Sequence, residues 1–212
     1  MKRISGLYAI ADSKWNPPGS LPQLVQKYLS GGCKLIQLRI KTGDGRPSLW
    51  NDDAFDAAKE ILKLKKSFDF TFIINDYVDV AAELGADGVH VGGNDMSVGD
   101  IRDYVGDRLL IGYSSHSYEE AVAAEKAGAD YVALGAIYPT VTKGYGHPVV
   151  GVETLRKTAQ TLNVPVVAIG GIKRENYKEV FEAGAKAAAM ITGLAMAPDI
   201  VAETKWFSQW TE

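Results

Sequence analysis

Two hydroxyl groups and one ammonium group lie close together in the chain, shortly after an apolar segment. The apolar segment is residues 131–134, and Thr140, Thr142 and Lys143 follow it. These side chains supply hydrogen-bond donors and a positive charge with no carboxylate between them. The pattern indicates a site for an anion such as a phosphate group. The alternative is a solvated loop that carries a surface lysine.

A second candidate anion site lies at the end of an earlier apolar segment. Gln37, Arg39 and Lys41 alternate with apolar residues, and alternate residues of a strand point to the same side. Two of the three are cations, and the sequence places no acid next to them. Because cations turned inward are costly to keep without a counter-charge, we expect a bound anion to complete this group. A strand at the exposed edge of a sheet is the alternative.

Asp76 and Asp95 are the candidate metal ligands. Asn75 and Asp76 follow one predicted strand, and Asp95 follows the next. Carboxylates from two neighbouring strand ends can bind one Mg²⁺ ion, which takes its remaining ligands from water and substrate phosphate. Taken singly, each aspartate is better explained as a helix cap. As a pair beside the cations of the preceding strand, they favour a metal site.

Glycine and hydroxyl groups follow the last two predicted strands. Gly171 follows one apolar segment, and Ile191 and Thr192 lie at the end of the next. Backbone N–H groups in glycine-bearing loops are good phosphate donors. Together with the two threonines described above, these residues predict one anion site that is separate from the site at Gln37, Arg39 and Lys41, and Lys143 could serve either one.

The histidines and the single cysteine are interpreted as structural residues. His90, His116 and His147 do not have the spacing of metal ligands, and a hydrogen-bonding role is favoured over that of a general base for each. Cys33 cannot form a disulfide within the chain. Its position just before an apolar strand predicts a small buried residue.

Strand-like and helix-like segments alternate along the chain and would bring these residues to one end of a sheet. Apolar runs separated by amphipathic helices imply a parallel sheet. About eight such pairs in 212 residues predict one (β/α)8 barrel, or TIM barrel, over residues 1–212, with its site on the loops after the strands. A doubly wound open sheet is the alternative. The predicted strands are 6–11, 34–40, 70–74, 88–91, 109–111, 131–134, 164–169 and 187–191, and the predicted helices are 21–30, 52–66, 78–84, 98–105, 118–127, 152–162, 176–183 and 200–210.

The composition is that of a globular protein. Hydrophobic residues make up 46% of the chain, charged residues make up 23%, and the net charge is −3. An acidic chain argues against a general nucleic-acid binder but allows a local anion site. We find no signal peptide and no apolar run of about 20 residues that could span a membrane. We therefore expect a cytoplasmic protein that binds small molecules, either alone or as a homo-oligomer.

With these residues in place, the chain resembles the thiamine phosphate synthase family. The similarity runs over essentially the whole length and in order. Each motif alone is weakly specific, whereas the ordered set is strongly specific. The motifs are LYAIAD, QLRIK, IND, ADGVHVGGND, IGYSSHS, DYVALGAIYPTVTK and VVAIGGI.

The resemblance implies a reaction. The family joins a hydroxymethylpyrimidine diphosphate to a hydroxyethylthiazole phosphate and releases pyrophosphate and thiamine phosphate, with one Mg²⁺ per subunit. Loss of the diphosphate would leave a ring-stabilised cation that the thiazole nitrogen captures. That nitrogen carries no proton, so no general base is required. Catalysis is then expected from charge stabilisation of the leaving diphosphate and alignment of the two rings.

The resemblance also implies residue roles. Asp76 and Asp95 match the magnesium ligands, and Arg39, Lys41 and Lys143 are the candidate catalytic residues. The positions that match the pyrimidine diphosphate site are Gln37, Leu38, Arg39, Ile40, Lys41, Asn75, Ser114 and Lys143, and those that match the thiazole phosphate site are Thr140, Val141, Thr142, Gly171, Ile191 and Thr192.

Some positions depart from the family pattern. Ala136 replaces the proline expected after Gly135, Tyr113 replaces a small aliphatic residue, and Thr192 replaces a serine but keeps the hydroxyl. The loop at residues 44–48 is also unusual. These differences affect loop shape rather than the class of reaction.

Two other functions compete with the synthase. A related thiazole tautomerase is expected to lack the two aspartates and to carry a histidine in the loop where Ala136 stands. A non-catalytic binding protein of the thiamine pathway is expected to lose charge around the diphosphate. The aspartates argue against the first alternative, and the three cations Arg39, Lys41 and Lys143 argue against the second.

Overall fold

The fold is a closed barrel of eight parallel strands, each followed by helical structure. It is seen in a computed structural model that describes residues 4–41, 52–140 and 148–211. The strands are β1 (Gly6–Asp12), β2 (Leu35–Arg39), β3 (Thr71–Asn75), β4 (Gly88–Val91), β5 (Leu110–Ser115), β6 (Tyr131–Gly135), β7 (Val166–Ile169) and β8 (Ala187–Met190). The α-helices in the described ranges are α1 (Leu21–Ser30), α2 (Asp52–Lys63), α3 (Val78–Leu84), α4 (Val98–Val105), α5 (Tyr118–Lys126), α6 (Val152–Thr161), α7 (Tyr177–Glu182), α8 (Thr192–Ala195) and α9 (Ile200–Ser208).

The strand order confirms the predicted (β/α)8 barrel and excludes the open sheet. Each strand pairs with the next in sequence, and β1 also pairs with β8, where Gly6 lies opposite Ala187. An open sheet would leave two edge strands unpaired. Because all eight strands are parallel, their carboxyl ends meet at one end of the barrel, called the barrel mouth below.

The strands are buried on both faces, which explains why most read as continuous apolar runs. Every residue of β1 is buried. Along this strand Tyr8 and Ile10 belong to a core inside the barrel, whereas Leu7 and Ala9 belong to a second core between the strands and the helices. This alternation is the period of two that an extended chain imposes on its side chains.

Several helices begin at capping residues that the sequence contains. The Ser117 hydroxyl accepts a hydrogen bond from the Glu120 N–H at 3.1 Å and so caps α5. Ser97 and Asp199 cap α4 and α9 in the same way. Such caps satisfy backbone donors that have no partner within the helix.

The predicted and observed elements differ most at three places, and the other bounds agree to within about two residues. β5 continues to Ser115 rather than ending at residue 111, because Ser114 and Ser115 pair with β6 despite their polar side chains. The predicted helix over residues 52–66 ends as α2 at Lys63 and continues as a 3₁₀ turn. The four-residue helix α8 was not predicted and begins at Thr192. No helix in the described ranges is long and apolar enough to cross a membrane.

Candidate active site

Arg39 lies at the barrel mouth and has an acidic partner that the sequence pattern did not reveal. Asp12, the last residue of β1, lies directly opposite Arg39 in the β1–β2 register. The Arg39 Nη1 atom donates to Asp12 Oδ2 at 2.5 Å, and only 2% of the Asp12 side chain is exposed. The expectation that no acid lies near the strand-two cations was therefore wrong. It failed because pairing of parallel strands brings together residues that are far apart in the chain.

Lys41 also has an acidic partner. Its Nζ atom lies 3.0 Å from Asp76 Oδ2, and both side chains are mostly buried. The backbone of Lys41 is held by Ser13, whose hydroxyl donates to the Lys41 carbonyl and accepts from the Lys41 N–H, each at 2.8 Å. Lys41 therefore reaches from the end of β2 to the predicted metal ligand after β3.

Asp76 has an uncommon backbone conformation. Its φ is +68°, in the left-handed region that residues with a side chain adopt at an energetic cost. The Asp76 N–H donates to the His90 carbonyl at 2.8 Å, and the Tyr77 N–H donates to the Asn75 carbonyl at 2.9 Å. These bonds hold the turn after β3 and direct the carboxylate towards Lys41.

The environment of Asp76 opposes its negative charge. Burial raises the pKa of the carboxyl most strongly, Lys41 lowers it, and the neighbouring Asp95 raises it, with a net rise above the ordinary value. Asp95 is itself held in its loop, since its Oδ2 atom accepts from the Gly92 N–H at 2.7 Å. The two predicted metal ligands therefore interact across the ends of β3 and β4.

Two buried polar atoms at this position lack hydrogen bonds to the described residues. Asn75 Nδ2 has no partner among them, and Asp76 Oδ2 accepts no hydrogen bond of good geometry from them despite its closeness to Lys41. Unsatisfied buried groups are costly unless a ligand completes them. No cluster of three or more metal-binding side chains occurs in the described residues. Two carboxylates nevertheless fit Mg²⁺, which commonly takes only one or two from the protein and the rest from water and substrate phosphate.

The loops after β6 and β7 lie against each other. The Tyr138 N–H donates to the Gly170 carbonyl at 3.1 Å. Gly171 has a φ of +66°, and a Cβ atom there would come within 2.6 Å of the Pro139 carbonyl. Glycine is therefore required at position 171 for both conformation and space. This contact brings Thr140, the residue after Pro139, to the same side of the mouth as Gly171.

The predicted phosphate residues after β7 and β8 lie on adjacent strands. Ile191 precedes α8, and Thr192 is the first residue of that helix. Asn176 fixes the β7 loop, because its Nδ2 donates to the Gly171 carbonyl at 3.0 Å and its Oδ1 accepts from the Lys173 N–H at 2.7 Å. Val141, Thr142 and Lys143, together with His147 and residues 44–48, lie outside the described residues.

A chain of hydrogen bonds crosses the inside of the barrel and joins two predicted substrate residues. Gln37 Nε2 donates to the Tyr8 hydroxyl at 2.8 Å, and the Tyr8 and Tyr131 hydroxyls lie 2.8 Å apart. His90 then lies between Tyr131 and Ser114, with Nδ1 3.0 Å from the Tyr131 oxygen and Nε2 2.8 Å from Ser114 Oγ. We call these five residues the interior polar chain.

Sequence reasoning missed most of the interior polar chain. Tyr8 and Tyr131 look like ordinary apolar strand residues, and His90 was assigned only a general hydrogen-bonding role. One local signal was present: Gly112 interrupts β5. A Cβ atom there would come within 2.1 Å of the Tyr131 ring and 2.5 Å of His90 Nδ1. The glycine therefore makes room for the two rings, which stack at 5.5 Å between centroids.

Together the fold and the site define a class of protein. It is a (β/α)8 barrel whose mouth carries cations, two interacting carboxylates and a glycine loop, a combination suited to phosphate-bearing small molecules.

Comparison with known proteins identifies the family. The family model described as thiamine monophosphate synthase matches residues 7–194. The chain is 40% identical to the thiamine-phosphate synthase of Bacillus licheniformis, over 99% of this chain and 92% of that protein. It is 38% identical to the thiamine-phosphate synthase of Shouchella clausii, over 94% and 92% of the two chains. The chain belongs to the thiamine monophosphate synthase family and is a transferase.

A solved structure agrees with this assignment. The thiamine phosphate pyrophosphorylase of Pyrococcus furiosus superposes with a TM-score of 0.85 at 35% identity, covering 96% of this chain and 94% of that one. The N-acetylmannosamine-6-phosphate 2-epimerase of Clostridium perfringens superposes with a TM-score of 0.65 at 17% identity, and this second likeness concerns the fold alone.

Proposed function

We propose that this transferase joins 4-amino-2-methyl-5-hydroxymethylpyrimidine diphosphate to 4-methyl-5-(2-hydroxyethyl)thiazole phosphate with the help of Mg²⁺. The products are thiamine phosphate and pyrophosphate. The observation that carries the proposal is the group at the ends of β2 to β4, where Lys41 contacts Asp76 and Asn75 Nδ2 is buried with no hydrogen-bond partner among the residues that the structure describes. A diphosphate supplies the acceptor atoms that such a group lacks.

Asp76 and Asp95 would hold the metal ion. A bound Mg²⁺ supplies positive charge that stabilises the diphosphate as it departs. Burial raises the pKa of Asp76 most strongly and repulsion by Asp95 adds to the rise, and this repulsion between the two carboxylates favours a cation between them.

The remaining residues of this part of the site would bind and orient the diphosphate. Arg39 is fixed by Asp12 and presents its remaining N–H groups to the mouth. Lys41, Asn75, Ser114 and Lys143 would add donors, and the backbone of Leu38 and Ile40 would complete the strand that carries them.

The bond changes in the proposed reaction need no protein base. The C–O bond between the pyrimidine methylene and the diphosphate breaks, and its electrons leave with the diphosphate. The pyrimidine ring stabilises the resulting cation, and the lone pair of the thiazole nitrogen forms the new C–N bond. The protein's contribution is to align the two partners and to exclude water from the cation.

The thiazole phosphate would be held on the other side of the mouth. Gly171 and Thr192 offer backbone and hydroxyl donors there, and Thr140 lies on the adjoining loop. Val141, Thr142 and Ile191 complete the proposed set. The two substrates would then meet between the loops after β3 and β6.

The direct test is to incubate the purified full chain with both substrates and Mg²⁺. We expect thiamine phosphate and pyrophosphate in equal amounts, and loss of turnover when a chelator removes the metal. Absence of product with both substrates verified as intact would refute the proposed function. Conversion of the thiazole phosphate alone to an isomer would instead support the tautomerase alternative. Cytoplasmic location, homo-oligomer formation and the absence of nucleic-acid partners stay predictions.

A further inference from the structure

We propose that the interior polar chain (Gln37, Tyr8, Tyr131, His90 and Ser114) has a fixed direction of hydrogen bonding, which makes Ser114 a donor to the substrate diphosphate. Tyr8, Tyr131 and His90 are then positioning residues that act through Ser114. This inference rests on the proposed function, because it takes the ligand of Ser114 to be an anion.

Because the interior polar chain is buried, its protons can be arranged in only a few ways. The exposed fractions of Tyr8, Tyr131 and His90 are 1%, 0% and 6%. Among the described residues, the Tyr8 hydroxyl has only Gln37 and Tyr131 as hydrogen-bond partners, and the Tyr131 hydroxyl has only Tyr8 and His90. A buried hydroxyl proton without an acceptor carries a desolvation cost. Each buried hydroxyl must therefore donate its proton to a neighbour in the interior polar chain.

The Gln37 end determines the direction. An amide nitrogen can only donate, so Tyr8 accepts from Gln37 Nε2 and must give its own proton to Tyr131. Tyr131 then gives its proton to His90 Nδ1. The opposite direction would make Tyr8 accept twice and leave its proton without an acceptor.

The Ser114 end of the interior polar chain lies in the candidate active site. If Nδ1 of His90 accepts, a neutral imidazole must carry its proton on Nε2, which donates to Ser114 Oγ at 2.8 Å. In the described part of the chain, His90 is the sole hydrogen-bond partner of the Ser114 hydroxyl. The Ser114 hydroxyl therefore keeps its own proton for the ligand, and diphosphate oxygens can only accept.

Reversal of the Gln37 amide would reverse every bond. Ser114 would then donate to His90 and offer only lone pairs to the anion, which is repulsive. The proposed direction is thus the one that satisfies the interior hydroxyl groups and also leaves Ser114 a proton to donate to the anion. It also leaves the oxygen of the Gln37 amide, an acceptor, to meet a donor group of the pyrimidine.

The first measurement is the tautomer of His90 in the substrate-free full chain. Long-range ¹H–¹⁵N correlation spectra distinguish the two neutral forms, and the His90 signals are assigned by their loss in His90→Gln. We expect the proton on Nε2. A proton mainly on Nδ1 would overturn the proposal, whether or not the protein makes thiamine phosphate.

The second measurement removes the hydroxyl that holds His90. In Tyr131→Phe, His90 Nδ1 loses its donor, so we expect a mixture of tautomers and a fall in kcat of about 10- to 100-fold. Tyr8→Phe serves the same purpose if Tyr131→Phe does not fold. Tyr28→Phe is the matched control, since the Tyr28 hydroxyl is fully buried and has no hydrogen-bond partner in the described residues. We expect wild-type kcat and tautomer in that variant.

The third measurement asks whether Tyr131 acts through Ser114. If it does, Tyr131→Phe should cost little further activity in a Ser114→Ala background, because the group it orients is already absent. Losses that multiply independently would contradict the positioning role. An unchanged His90 tautomer in Tyr131→Phe would contradict it as well. Failure of the wild-type protein to make thiamine phosphate would count against the proposed function and leave the tautomer result to be judged separately.

Discussion

At the scale of single residues, Asp76 combines features that oppose folding and serve binding. Its φ is positive, its side chain is only 8% exposed, and both burial and Asp95 raise its pKa. Such strain persists where the surrounding structure enforces it and is common at functional sites. The three features together are what a metal ligand requires: a fixed, partly desolvated carboxylate beside a second one.

The variant Asp76→Asn separates these effects. Asparagine adopts the left-handed conformation readily and carries no charge. We therefore expect the metal-free variant to be at least as stable as the wild type in thermal unfolding, because it removes an anion that burial disfavours. We also expect the stabilisation by Mg²⁺ with pyrophosphate to disappear and turnover to fall by about a hundredfold or more.

The matched control for Asp76→Asn is Asp79→Asn. Asp79 is exposed in the first turn of α3, three residues further along the chain. The change in formal charge is the same, but no part of the candidate site is altered. Its response to Mg²⁺ and pyrophosphate should match that of the wild type. A Mg²⁺-dependent rise in melting temperature that survives in Asp76→Asn would refute the assignment of Asp76 as a ligand.

At the scale of elements, β5 owes its position to Gly112. In Gly112→Ala the new methyl group would overlap the Tyr131 ring and His90, neither of which can move within a closed barrel. We expect Gly112→Ala to lower the free energy of unfolding by about 1–3 kcal/mol, measured by urea denaturation. The control is Gly99→Ala in α4, where the nearest atom is 4.0 Å away. That variant should gain up to about 1 kcal/mol from helix propensity. Equal effects of the two substitutions would contradict this account.

Local sequence signals predicted the elements well, because the period of the apolar residues reports burial directly. The apolar run predicted over residues 131–134, which forms β6, is an example. β5 was predicted too short because its polar end is held by pairing with β6 rather than by its own composition. The short helix α8 has too few residues to show a period.

The contacts within the site were harder to predict, because they depend on closure of the barrel. Tyr8 and Tyr131 are 123 residues apart in the chain and meet inside it. Asp12 and Arg39 meet through the register of β1 with β2. No local pattern encodes either contact. The sequence could therefore indicate which strand ends carry candidate site residues, but not which acid partners each cation.

At the scale of the whole molecule, the barrel places the candidate active site at one end and the buried Cys33 at the other. Asp12, Arg39, Lys41 and Asp76 interact at the mouth. Cys33 precedes β2 at the opposite end, with Sγ 3.3 Å from the carbonyl oxygens of Leu7 and Leu35. Because β1 pairs with both β2 and β8, neither end can open widely without breaking the closed sheet. Ligand binding at the mouth should therefore stabilise the barrel around Cys33.

Alkylation of Cys33 provides a test of this coupling. Burial raises the pKa of its thiol to about 11, so at pH 8 the folded protein contains very little thiolate and presents none to solvent. Modification by iodoacetamide should require unfolding of the barrel. If that unfolding is global, Mg²⁺ with pyrophosphate at about 100 times its Kd should slow the reaction about a hundredfold. Asp76→Asn should lose this protection, and the guanidinium-unfolded chain should react at the rate of a free thiol.

A rate that is slow but insensitive to the ligand would mean that Cys33 is exposed by local opening, and that the two ends of the barrel are not coupled.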